Sequence, residues 1–441
     1  ASASAAEALT RIDRFVCDIK ETQYGDGLHV FGAGDHGTGE IDGLIAALSA
    51  RFVPPGPSGS PYRGRSDVRP TGRNLFTTDP RAVPSRAAYT QGVKLAEELL
   101  RKHLQDHGDW PKGLVMDMWG SATIRTAGEE FAMALHLAGL SPRWDDGSDR
   151  VSGFDILPLA LLNRPRIDVT LRVSGLFRDM FPGLAQLFET AIAKLAERPE
   201  TAADNPYLVQ TPRVFGPRPG SYGLGIGTAM DDYSDEARTA AGEAWLAASS
   251  YAIDARGEIT YARDALETQL TRADSFVHLQ DLPETDLLMA EDYAAHEAGF
   301  AAAMQRLGKG GAAALYHLDA TRPDQPRART LTEELARVVR ARAANPDWAT
   351  GMMAHGFRGA AEIAATLDHL AAFAHLAGVV PDHLFDAMFD ATLGRDDLVD
   401  FMQDANPQAL AALRARFDAL HRAGLWTSRR NSVLAELGTP A

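Results

Sequence analysis

Two stretches place charged side chains directly after apolar segments. In "GLVMDMWGSATIRTAGEE" an apolar run closes at Trp119, a loop of small residues follows, and Arg125, Glu129 and Glu130 precede the apolar "FAMALHLAGL". In "RIDVTLRVSGLFRDM" a second apolar run closes at Gly175 and presents Arg178 and Asp179. A carboxylate so placed can take up a proton or hold a cation, and a guanidinium can grip a carboxylate through two parallel hydrogen bonds. Glu129 also suits the first turn of a helix, where the dipole favours an acid with no function required. Its neighbour Glu130 is expected to be a solvated helix residue.

The histidines offer further candidates. His103 and His107 have the i, i+4 spacing of a two-histidine metal site, but they lie in the charged helix end "RKHLQDHGDW" and are read as a solvated face. His296 and Glu297, in "DYAAHEAGF", are adjacent on a helix and point about 100° apart, so either could be a metal ligand but the two do not converge on one ion. His355 precedes Gly356 in "NPDWATGMMAHGFRG", where the backbone can approach a ligand closely; a helix-end core histidine is the competing reading. His29, in "DGLHVFG", is expected in a strand. The glycines of "GSYGLGIG" lack the Lys-Ser/Thr of a P-loop and do not match the dinucleotide fingerprint, so any ATP chemistry is expected on another chain.

The elements that must carry these residues alternate. "AAYTQGVKLAEELLRKHLQDHG" has helical spacing, "GLVMDMW" reads as a buried strand, "EEFAMALHLAGL" as a helix stopped by Gly139, "RIDVTLRVSG" as a strand and "MFPGLAQLFETAIAKLAE" as a helix. That order predicts an α/β fold: a parallel-sheet core with helices on both faces, followed by a mainly α-helical C-terminal region. Ligands of such sheets bind beyond the carboxyl ends of the strands, where both charged loops fall. The chain divides into an N-terminal α/β segment with an Arg/Pro/Gly-rich loop (1–85), an α/β domain with the site loops (86–230) and a mainly helical region with short strands (231–441). The loop holds six arginines, Arg51, Arg63, Arg65, Arg69, Arg73 and Arg81.

Composition narrows the partners. With 44 Lys and Arg against 59 Asp and Glu, the net charge of -15 disfavours nucleic acid and anionic bilayers. No apolar run nears the ~18 residues of a membrane helix, and the opening "ASASAAEALTRIDRF" lacks a signal pattern, so a cytoplasmic location is expected. The single cysteine, Cys17, excludes an internal disulfide and a cysteine-rich metal site, leaving His, carboxylate or water as metal ligands.

Several blocks together resemble the large subunits of ATP-dependent metal chelatases, the family shared by cobaltochelatase of the CobN type and the magnesium chelatase H subunit. They are "GDGLHVFG", "PTGRNLFTTDPRAVPSRAAY", "WGSATIRTAGEE", "RPRIDVTLRVSGLFRDMFP", "RVFGPRPGSYGLG", "QDLPETDLL", "DYAAHEAGFAAA", "RTLTEELARVVRARAANPDWATGMMAHGFRGAAEI" and the terminal "NPQAL" with "GLW", in family order from about residue 20 to 426. Family large subunits are much longer, so the chain resembles their C-terminal portion or a split version. "VHLQDLPETDLL" and "YAAHEAGF" look more like the cobalt branch. Two departures stand out: Gly25 where an Arg is more frequent, and Ala122 where the family usually has an acid.

The resemblance implies insertion of Co2+, as substrate metal, into the corrin precursor hydrogenobyrinic acid a,c-diamide in aerobic cobalamin synthesis. ATP and Mg2+ would be used by AAA+ partner subunits of the CobS/CobT type, together with an N-terminal portion of the large subunit. Alternatives are a tetrapyrrole-binding scaffold module without complete activity, and a magnesium chelatase H-type subunit acting on protoporphyrin IX. In the same way Glu129 and His355 are implied as catalytic and metal-handling residues, His296 and His29 as further metal ligands, and Arg125, Arg178, Arg213, Trp119 and Tyr222 as substrate contacts.

Overall fold

The computed structural model describes residues 37–57, 69–76 and 79–436. Numbered in chain order, the strands of its main sheet are β1 (Gly113–Met118), β2 (Asp168–Val173), β3 (Val214–Gly216), β4 (Tyr251–Ile253), β5 (Ile259–Tyr261), β6 (Ser275–Gln280), β7 (Ala314–Asp319) and β8 (Arg327–Thr330). Their spatial order is β8-β7-β6-β1-β2-β3-β4-β5. From β7 to β3 neighbours run parallel, and β8, β4 and β5 add antiparallel edges. β1 and β6 therefore lie in the middle of the sheet, and both are buried along their whole length.

The two faces of the sheet carry separate apolar cores. Leu114, Met116, Val169, Leu171, Val277 and Leu279 point to one face and pack under the helices Arg86–His107, Glu129–Ala138 and Pro182–Ala196. Val115 and Phe276 point to the other, against Trp245, Leu266, Leu270 and Phe300 from the helices Asp235–Ala247, Arg263–Arg272 and Gly299–Arg306. This second core continues into the C-terminal helices, where Trp426 is enclosed by Phe385, Phe389 and Phe417. Parallel strands buried on both faces need this double cover, and the expected α/β core with a helical C-terminal region is what forms.

Three expectations are corrected. The division at residue 230/231 cuts through the main sheet, because β4 to β8 all come from beyond it and β6 pairs directly with β1. "SFVHLQD", within the region expected to hold only short strands, forms β6, a fully buried inner strand third from the β8 edge. The small residues after Trp119 form a buried helix, Gly120–Thr126, rather than a loop.

Of the segment 1–85, the described part holds a helix, Gly37–Leu48, and two short strands, Gly56–Pro57 and Asn74–Phe76, paired parallel. The strand expected around His29 lies outside the described residues.

Small residues let two crest helices meet. The amide of Gly120 donates to Ser174 Oγ at 3.1 Å, and that hydroxyl also caps the helix Gly175–Met180 by accepting from the Phe177 amide at 3.2 Å. A Cβ on Gly120 would stand 2.5 Å from the Phe177 amide nitrogen. Gly120→Val is therefore expected to cost about 1–3 kcal/mol through overpacking, seen as a lower urea midpoint with an unchanged slope.

Candidate functional site

The register of the parallel strands aligns one row of polar residues across the middle of the sheet. Arg172 of β2 stands beside Asp117 of β1, Asp117 beside His278 of β6, His278 beside His317 of β7, and His317 beside Arg329 of β8. All point to the face covered by the C-terminal helices, since alternate strand residues share a face. They sit near the carboxyl ends of the parallel strands, and Arg172, Asp117, His278 and His317 are all at least 97% buried.

A π-helical turn, Ala294–Ala298, lies against this row and supplies His296 and Glu297. Such a turn inserts one extra residue into a helix and is frequent at functional sites. His296 Nδ1 lies 2.7 Å from Asp117 Oδ2. Arg172 Nη1 donates to Asp117 Oδ1 at 3.1 Å, and Trp119 Nε1 donates to Oδ2 at 2.7 Å. Glu297 turns away from His296, as its adjacent position requires, and meets His317 Nδ1 at 3.0 Å. His317 Nε2 in turn meets Gln280 Oε1 at 2.8 Å.

Protonation follows from these contacts. Burial pushes Asp117 up, but its contacts with His296 and Arg172, together with the approach of His278, outweigh it and hold the carboxyl well below its usual range. Burial lowers His296, and the pull of Asp117 only partly restores it. At 2.7 Å from an ionised carboxylate, which can only accept, a neutral His296 donates from Nδ1; Arg172 Nη1 and Trp119 Nε1 approach the same nitrogen at the longer distances of 3.1 and 3.2 Å and are donors that Asp117 also binds. Nε2 is left with its lone pair, able to accept a proton or bind a metal. Among the residues around Asp117, His296 keeps a partly open side chain, 13% exposed. His317 is the opposite case. Burial would lower it, but the charge and hydrogen bond of Glu297 raise it above its ordinary value.

Aromatic rings surround the pair. Trp119 stacks on Tyr293 with centroids 5.5 Å apart and stands 4.7 Å from His278 and 5.0 Å from His296. Trp245 lies 6.0 Å from the Arg172 guanidinium and donates through Nε1 to the His296 carbonyl.

Next to this row sits a second buried group. Arg125 holds Asp281, just past β6, through two hydrogen bonds of 2.5 and 2.8 Å. Glu129 and Glu130 open the following helix, and both are buried. Glu130 is thus not a solvated helix residue: it is 1% exposed, and neither carboxyl oxygen has a hydrogen-bond partner. Burial, and then the charge of Asp281, push it well above the carboxylate range, against the opposing pull of Arg125.

The other expected site residues are dispersed. Arg178 is occupied by Asp179 and by the carbonyls of Pro217, Arg218 and Ser221, so it ties down the 217–221 loop. Tyr222 is exposed, donates to Asp179 Oδ2 at 2.8 Å and stands 5.5 Å from the Arg178 guanidinium. Arg213 is fully buried on Asp168 at the start of β2, the edge of the sheet opposite the row. Arg125, Arg178 and Arg213 therefore serve internal carboxylates rather than forming an open substrate rim.

His355 is exposed in the turn before the helix Gly356–Ala377 and makes no contact with the row. His29 lies outside the described residues. His103, expected in solvent, is buried with Nδ1 3.2 Å from Ser275 Oγ and 3.3 Å from the Tyr316 hydroxyl. Of the expected residues, the structure brings together Trp119 and His296, with Arg125 and Glu129 alongside. It adds Asp117, Arg172, His278, His317, Glu297, Glu130 and Asp281. Their trace in the sequence is a polar residue near the end of an apolar strand, as in "VMDMW", "TLRVSG", "FVHLQ" and "LYHLD".

Among the described residues no group of three or more His, Cys, Asp or Glu side chains is arranged to hold a metal ion. No helix of the described residues is long and apolar enough to cross a membrane.

A family model described as CobN/Magnesium Chelatase matches residues 33–433. The chain belongs to the CobN/magnesium chelatase family. It is 45% identical over 431 residues to an aerobic cobaltochelatase subunit CobN of Sinorhizobium sp, covering 92% of this chain and 34% of that protein. It is 44% identical to the subunit of that name from Pseudomonas aeruginosa, covering 88% and 33%. Its structure resembles the catalytic subunit of cobaltochelatase from Mycobacterium tuberculosis with a TM-score of 0.84 and 37% identity, over 91% of this chain and 36% of that one. The chain thus spans about a third of the length of the relatives it matches. Both the parallel-sheet fold and the family expected from the shared blocks are borne out.

A pH test follows from Glu130. Its folded-state pKa is raised, so the unfolded chain binds fewer protons than the folded one once pH exceeds the ordinary glutamate range, and stability contributed by the neutral acid declines as pH rises. Glu130→Gln, which cannot ionise, is expected to gain on the wild type as pH rises from 4 to 8, checked by melting temperature across that range. A constant gap between the two proteins would show that Glu130 does not titrate on unfolding.

Proposed function

We propose that the chain is a portion of the large subunit of an ATP-dependent cobaltochelatase, the part that handles tetrapyrrole and metal. Its substrates on this reading are Co2+ and a corrin, hydrogenobyrinic acid a,c-diamide. The observation that carries the site assignment is His296, fixed through Nδ1 by the buried Asp117 with Nε2 free on a partly open side chain. Identities of 44–45% to subunits named for cobaltochelatase, against 25–29% for subunits named for magnesium chelatase, favour the cobalt branch.

Metal insertion exchanges the ring N–H proton of the corrin for the divalent ion, so the protein must accept that proton and hold the ring. His296 Nε2 is the proposed first acceptor. Asp117 stabilises the imidazolium that results, and Arg172 keeps Asp117 ionised and oriented, the same division of labour as an oriented histidine base in other enzymes. Trp119 offers an aromatic face beside His296 for the macrocycle. With no dense ligand cluster among the described residues, the ion would be passed to the ring nitrogens from water and one or two side chains rather than from a closed protein site. Carboxylates on the macrocycle would be met by arginines other than the three already paired, and the arginine-rich stretch from Arg51 to Arg81 is the proposed source. ATP hydrolysis and its Mg2+ belong, on this reading, to AAA+ partners of the CobS/CobT type, and the remaining large-subunit polypeptide completes the assembly in the cytoplasm.

Absorbance titrations with the corrin and with protoporphyrin IX, followed by cobalt, ATP, the partner ATPases and the missing large-subunit portion, test this reading. Asp117→Asn and His296→Ala are each expected to lower cobalt insertion by about 100-fold while leaving the corrin Kd within about threefold. Loss of corrin binding in parallel with activity would make the pair structural, and preferential insertion of magnesium into protoporphyrin would move the chain to the other branch.

A further inference from the structure

The helix Gly37–Leu48 has two unlike long sides. One is seated on the segment 69–73: a Cβ on Gly39 would stand 3.4 Å from Pro70 Cβ, one on Gly43 3.6 Å from the Gly72 carbonyl oxygen, and the Thr71 hydroxyl donates to Glu40. The other carries Ile41, Ile45 and Leu48, and the stripe runs on to Phe52 just past the helix. The spacing i, i+4, i+7 puts Ile41, Ile45 and Leu48 in one line, the arrangement a helix uses to bury an apolar face, and Phe52 follows four residues beyond the helix end. None is covered. Their exposures are 58%, 49%, 63% and 81%, and they gather in one short segment, whereas the other exposed large apolar residues among those described are scattered along the chain.

A single exposed leucine needs no explanation, but a charge-free stripe of four marks an interface. Its composition also says what kind. Interfaces that open and close are rimmed and crossed by polar groups, whereas permanent ones resemble a domain core cut in half. ATPase subunits that act and release would suit the first kind. The two relatives described above, of which the chain matches 34% and 33%, each carry about two-thirds of their length in polypeptide that this chain does not match. We infer that the Ile41–Phe52 stripe is the docking surface for that remaining large-subunit polypeptide, covered permanently in the assembled subunit. The inference rests on the reading of the chain as one portion of a chelatase large subunit.

The test co-expresses the tagged 441-residue chain with the unmatched two-thirds of the Pseudomonas aeruginosa relative, and compares wild type with the triple variant Ile41→Ser, Ile45→Ser, Leu48→Ser. The substituted side chains are exposed, so melting temperature should be unchanged. Wild type is expected to retain the soluble partner polypeptide through purification, and the variant to retain at least tenfold less. Equal retention by both, or none by wild type, overturns the inference. So does a wild-type homodimer, by light scattering, that the variant abolishes, since the occupant is then a second copy. Cobalt insertion is read separately: a stripe-dependent complex without metal insertion would sink the proposed activity and leave the docking surface standing.

Discussion

A negative charge held inside the sheet governs this architecture. Asp117 sits in the middle strand of a two-faced core, where desolvation of a lone carboxylate would exceed the whole stability of a typical domain. It is tolerable because two other elements and the strand's own end deliver partners to its two oxygens: β2 the Arg172 guanidinium, the π-helical turn His296, and the residue after the strand, Trp119. Each partner fixes something larger. Arg172 sets the register of β2 against β1, and His296 sets where the helical region that follows β6 must cross the strand ends. Removing any one of them leaves an uncompensated buried ion, the costly case for a buried pair.

The same constraint prepares a chemical group. An imidazole clamped through Nδ1 by an ionised carboxylate has a defined tautomer and a defined direction at the far nitrogen. The carboxylate stays ionised because Arg172 is beside it, and the ring stays neutral because it is mostly buried. The extra residue of the π-helical turn lets His296 face Asp117 while Glu297 reaches His317. Two adjacent residues thereby serve two different partners in the same row: Glu297 holds His317 above its ordinary value at one side, while His296 borders solvent at the other. The arginines near the row are spent on internal acids, Arg172 on Asp117 and Arg125 on Asp281.

Much of the fold was readable because it depends on local pattern. Alternating strand and helix signals, Gly139 stopping one helix and Ser174 capping another, and apolar runs buried on both faces lead to a parallel sheet with helices on each side. Trp119 and His296 were within reach as members of shared blocks. What escaped was any residue whose role depends on register. Asp117, Arg172, His278 and His317 lie in four strands up to 200 residues apart in the chain, and only strand pairing places them side by side. Glu130 was misjudged for a related reason: an acid in a helix's first turn looks solvated until the packing around it is known.

The amino-acid sequence by itself determined the class of fold, the family and the exclusion of thiolate metal chemistry, because periodicity, ordered motifs and a single cysteine are properties of the chain read in one dimension. The tertiary structure alone decided which polar side chains form the site and which arginines are already engaged. Burial and hydrogen bonding across strands set the protonation of Asp117, His296, His317 and Glu130, and neither exists until distant segments are brought into contact.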